Sequence, residues 1–204
     1  MIRLTRRHTL LGAGLLPFLP GPVLANTPIG TAAEVTGDAS LTHEGAVAAM
    51  APGAALAEGD LAETGTDGLA LLILETDTRL NMGPVTSVVL AKYLADVGGT
   101  ITLGGADGGA LVFDRPEDLP PIDLTFDTAF GQIGVRGTRF FAGPSRGTFA
   151  VFCQRGRVTV VNAGTTRDLG PGDGVNLSDG APSEVAQWKP ERIAEAFALV
   201  GLAP

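Results

Sequence analysis

The chain has 204 residues, with 14 Lys and Arg against 22 Asp and Glu and a net charge of −8. That balance repels phosphate backbones and anionic lipid headgroups, so nucleic acid is excluded as a partner class. Cys153 is the single cysteine, which rules out an internal disulfide, and the length suits one domain with a sizeable core.

Residues 1–25 read as an export signal. Arg3, Arg6 and Arg7 form a basic start, an apolar stretch follows from Leu10 to Leu24, and Val23 and Ala25 stand at −3 and −1 of a cleavage site before Asn26. Gly12, Gly14, Pro17, Pro20 and Pro22 interrupt that stretch, so it is too short and too broken for a membrane anchor. The pair Arg6-Arg7 resembles a twin-arginine signal, with Thr9 where that pattern carries Phe. Cleavage near Ala25-Asn26 leaves eleven cations against 22 acids, a charge of −11, on a periplasmic protein.

Residues 26–183 are predicted to form an all-β domain of about ten to thirteen short strands. Glu34-Val35-Thr36 and Ala39 to Thr42 flank Gly37-Asp38 as a hairpin. Leu69 to Leu74 is an apolar run suited to a strand buried on both faces. Thr76-Asp77 marks a turn, and Arg79 to Met82 alternates as a half-buried strand does. Gly83-Pro84 interrupts before Thr86 to Leu90. Thr100 to Leu103 and Ala110 to Phe113 flank the hairpin loop Gly104 to Gly109, and Arg115 to Pro121 is a proline-bearing surface connection. Thr148 to Gln154 and Val158 to Val161 bracket Arg155-Gly156 as a further hairpin. Leu56-Ala57-Glu58-Gly59-Asp60 and Leu169-Gly170-Pro171-Gly172-Asp173 share the pattern L-x-x-G-D, each a turn that delivers the chain into the next strand.

Residues 184–204 form a helical tail. Pro190 suits the first helical position and Glu191 the positive end of the dipole. Ile193, Ala194, Phe197 and Val200 share one face, which either caps the sheets or docks a partner.

The string Gly134-Val135-Arg136-Gly137-Thr138-Arg139-Phe140 resembles the signature of the FecR domain, and the order of segments around it agrees from about residue 30 to 180. The resemblance implies a β-rich, solenoid-like domain of stacked short strands outside the inner membrane, with one C-terminal helix here. Known members pass a signal from an outer-membrane transporter to a cytoplasmic sigma factor; this sequence shows no sigma-binding region and no membrane helix. Gly134 and Gly137 would let backbone turn or approach closely, and Thr138 suits a strand start. Arg136 presents a planar fork that serves either as a buried clamp or as a partner contact.

No chemistry emerges. Past the signal the only histidine is His43, in a loop-like Thr42-His43-Glu44-Gly45; a catalytic triad would have to use it, and a cupin-type metal site lacks the several histidines it needs. Gly104 to Gly109 looks like one fragment of a calcium-binding repeat without the neighbouring copies such sites need. Catalytic, cofactor and metal residues are therefore expected to be none. The sequence points to an exported, soluble, non-enzymatic FecR-like module that binds an envelope protein in signalling or scaffolding. The alternative is a periplasmic small-ligand or cell-wall sensor with a concave site of about 300 Å³ or more.

Overall fold

The computed structural model describes residues 27–203. The export segment and its cleavage site lie outside these described residues. Eighteen strands and one α-helix follow in chain order. They are β1 (Gly30–Thr36), β2 (Ala39–His43), β3 (Ala46–Ala49), β4 (Ala55–Leu56), β5 (Leu61–Thr64), β6 (Leu69–Leu74), β7 (Thr78–Met82), β8 (Thr86–Leu94) and β9 (Gly98–Gly105). Then come β10 (Leu111–Asp114), β11 (Asp123–Thr128), β12 (Gly131–Val135), β13 (Arg139–Ser145), β14 (Thr148–Arg155), β15 (Val158–Asn162), β16 (Thr165–Leu169), β17 (Asp173–Leu177), β18 (Ala186–Gln187) and α1 (Pro190–Leu199). The strand number exceeds the expectation because pieces as short as β4 and β18, two residues each, carry no periodicity to read.

The strands make two nine-stranded sheets. Sheet A runs β18-β17-β14-β13-β10-β7-β6-β1-β4 and sheet B runs β16-β15-β12-β11-β9-β8-β5-β2-β3. Their inner faces meet in one apolar core. Phe113 and Phe140 of sheet A close on Phe126 of sheet B with ring centroids 5.3 and 5.1 Å away, both edge-on, the geometry aromatic quadrupoles favour. In β6 the apolar run alternates: Ala70, Leu72 and Leu74 enter the core, while Leu69, Leu71 and Ile73 are only half-buried.

A solenoid would repeat parallel pairings coil after coil. Here every pairing is antiparallel except that of β9 with β11, so the expected solenoid is replaced by a two-sheet stack. The reason lies in the turns. Three tight hairpins keep the chain within a sheet: β2–β3 through Glu44-Gly45, β13–β14 through Arg146-Gly147, and β15–β16 through Ala163-Gly164. Both residues of each turn have positive φ, the mirror-image turn whose twist matches that of the strands and whose second place glycine fills at least cost.

The three hairpins expected at Gly37-Asp38, Gly104 to Gly109 and Arg155-Gly156 are instead corners between the sheets. β1 and β10 and β14 lie in sheet A, whereas β2 and β9 and β15 lie in sheet B. Chain order also divides the stack. β1 to β9 fill one end of both sheets and β10 to β18 the other, and strands of the two halves pair only where β7 meets β10 and β9 meets β11.

The tail forms a third layer. Trp188, Ala196, Phe197 and Val200 pack on Val112, Phe141, Ala150 and Phe152 of the outer face of sheet A. Trp188 stacks on Phe152 at 4.9 Å, and the Arg192 guanidinium lies 3.8 Å above the Trp188 ring. Pro190 takes the first helical turn as expected, with Glu191 beside it. The outer face of sheet B has no such cover among the described residues.

Candidate functional site

The signature residues span the corner that carries the chain from β12 in sheet B to β13 in sheet A. Gly137 has φ +63°, and a Cβ there would meet nothing closer than Pro121 at 3.6 Å, so backbone conformation is what it supplies. Thr138 is fully buried, and its carbonyl accepts the Arg115 N–H at 3.1 Å. Gly156 packs beneath this corner, where a Cβ would fall 2.6 Å from the Gly137 carbonyl.

Arg136 is no buried clamp. Its side chain is 70% exposed, with Nε 3.9 Å from the Asp123 carboxylate. The clamp is Arg115, 1% exposed, at the start of the proline-bearing connection. Its Nε donates to the Pro120 carbonyl at 3.0 Å, one terminal nitrogen to Thr76 and Thr78, and the other to the Ala95 carbonyl at 3.1 Å. A connection with Pro116, Pro120 and Pro121 lacks ladder hydrogen bonds, and a guanidinium supplies the missing donors. That proline density beside an arginine was the available signal.

Gly134 sits on the outer face of sheet B, in register with Thr125 of β11 and Thr159 of β15. A shallow depression of about 330 Å³ opens above it, lined among others by Thr125, Thr159, Arg136, Arg157 and Asp123. Of the tail residues expected on a docking face, Phe197 and Val200 are buried and Ile193 packs beside them against sheet A. That face is occupied within the molecule.

The four sheet edges differ. β4 and β18 are two residues long, and β16 carries Arg167 and Asp168. β3, Ala46-Val47-Ala48-Ala49, has neither charge nor proline, pairs with β2 alone, and is exposed at every position. Val47 is 71% exposed.

Both L-x-x-G-D segments are corners. Asp60 Oδ2 accepts the Ala57 N–H at 2.8 Å, and Asp173 Oδ2 accepts the Gly170 N–H at 2.9 Å. The second carboxylate oxygen meets His43 Nδ1 at 2.5 Å in the first and accepts from Gln187 Nε2 at 2.6 Å in the second. The hydrogen bond to Asp60, then its charge, raise the His43 pKa above its ordinary value.

Cys153 is fully buried, and burial first, then the charge of Asp173, push its thiol up to about 11. No group of three or more His, Cys, Asp or Glu could hold a metal ion among the described residues. No helix among them is long and apolar enough to cross a membrane.

No protein-family model matches the chain, and no curated protein does. Among solved structures, two crystal structures of a provisionally assigned anti-sigma factor from Parabacteroides distasonis ATCC 8503, at 1.65 and 2.50 Å resolution, are similar in fold. Identity is 14% for both, with TM-scores of 0.55 and 0.52 over 69% of this chain. The alignment spans 65% and 64% of those chains, so the likeness concerns part of their length and bears on the fold alone.

Proposed function

We propose that the chain is an exported, soluble, non-enzymatic FecR-like module that binds a protein partner of the cell envelope, in signalling or scaffolding. The observation that carries this reading is β3, the one edge among four that is neither cut to two residues nor charged, and that is exposed along its whole length. Natural sheets blunt their edges with charge, proline or brevity, and an edge without these accepts a further strand through backbone hydrogen bonds. Similarity in fold to an anti-sigma factor supports a contact role, as does the FecR-like signature.

Affinity capture from a periplasmic extract tests it. The wild-type protein is expected to retain a specific envelope protein, and Val47→Lys to lose it without change in thermal stability. Repeated capture of nothing would remove the basis of the reading. Export itself is checked by fractionation and N-terminal sequencing, with a new terminus expected at Asn26.

The sensor reading draws on a different feature. A depression of about 360 Å³ is lined by the stacked Phe130 and Phe149, 4.8 Å apart, together with Asp107, Thr148, Ser178 and Asp179. Peptidoglycan fragments and envelope metabolites screened by thermal shift would favour it if one stabilises the wild type and not Phe130→Ala.

A further inference from the structure

Glycine inside a strand weakens it and marks a bulge, a tight bend, or a place where something else comes close. Gly134 has no bulge to explain it, because β12 keeps unbroken register with β11 on one side and β15 on the other. Its φ lies outside the left-handed range, and a Cβ built there meets only the Thr159 carbonyl at 3.8 Å and Thr159 Cβ at 4.0 Å, ordinary contacts. Neither backbone conformation nor internal packing needs a glycine. What its absence of a side chain produces is a notch in the outer face of sheet B, walled by Thr125 and Thr159.

The charges beside the notch are arranged oddly for an isolated protein. Val135 pairs with Val158, which sets Arg136 and Arg157 opposite each other one position further on. Like charges placed so repel. Arg136 has only the loose exposed contact with Asp123 at 3.9 Å, and Arg157 forms no ion pair among the described residues. Asp168 lies in the same row as Gly134 beyond Thr159, whose hydroxyl donates to it at 2.8 Å. Two adjacent guanidinium forks in an acidic chain, next to an empty side-chain space, are complementary to a carboxylate.

We propose that the Gly134 notch receives an Asp or Glu side chain from an extended segment of a protein partner laid across sheet B, its carboxylate bridging Arg136 and Arg157. This rests on the protein-contact reading but not on β3, which lies at the far edge of the same sheet. Thr125 and Thr159 flank the inserted side chain, and the glycine lets the partner backbone approach the sheet.

The probe is the blocked pentapeptide acetyl-Thr-Glu-Thr-Glu-Thr-amide, compared with its Gln counterpart and titrated into the isotopically labelled protein. Weak binding near millimolar is expected, with amide shifts centred on Thr125, Gly134 and Thr159, and about tenfold weaker binding of the Gln peptide. Added salt should weaken the Glu peptide and leave the Gln peptide unmoved. Arg157→Gln is expected to reduce Glu-peptide binding by about tenfold.

Gly134→Val is expected to abolish Glu-peptide binding while keeping or raising the melting temperature, since valine suits an open strand position. Should it not fold, Arg157→Gln and the salt series decide. The proposal is overturned if the Glu peptide shifts nothing at the notch at about 5 mM, or if it binds Arg157→Gln as tightly as wild type. Either result leaves capture through β3 standing. Conversely, a bound Glu peptide alongside a capture that Val47→Lys leaves intact would discard the β3 route and keep the notch.

Discussion

The two L-x-x-G-D corners are built alike and closed differently. In each, the aspartate caps the N–H three residues before it, and its second oxygen is met by a side chain brought from elsewhere in the fold. Asp60 is 1% exposed and is met by the half-exposed imidazole of His43; Asp173 is half-buried and is met by the neutral amide of Gln187. Sequence dictates the corner, while its response to acid is set by a residue the motif does not contain.

The largest break in this comparison is Asp60→Ala, which leaves the Ala57 N–H without an acceptor in a buried site and is expected to lower unfolding stability by about 2 kcal/mol in urea titration. Asp173→Ala should be milder, about 1 kcal/mol, because water reaches the freed Gly170 N–H. Equal losses would mean that burial does not separate the corners.

The smallest effect is the most specific. His43 is raised in the folded protein by its bond to Asp60, so its contribution is fully present below about pH 6.5 and is lost as pH rises through the higher folded value. His43→Gln makes the first corner resemble the second. Wild type is expected to gain stability relative to this variant on going from about pH 9 to about pH 6, and parallel urea midpoints across that range would refute it.

Another pair of segments shows what the sequence could reveal. Arg146-Gly147 and Arg155-Gly156 are the same dipeptide between apolar runs. The first is a hairpin with both φ positive; at the second β14 ends and the chain crosses to sheet B. The difference is that Gly156 is held under the Gly137-Thr138 corner, a contact made from nineteen residues away. Strand existence, the C-terminal helix and the alternation of β7 were legible because periodicity is local. Sheet membership was not, because it is fixed by long-range pairing. At the site, Gly134 and Arg136 were singled out by motif, but the clamp at Arg115 was hidden in a loop, and the Arg157 beside Arg136 emerged only from the register of β12 with β15.

The division of both sheets by chain order bears on how the protein is assembled. Strand pairing between residues 30–105 and the rest is confined to two margins, the free sides of β7 and β9. A chain cut short at the Gly104 to Gly109 connection would leave both raw margins open to another copy of itself.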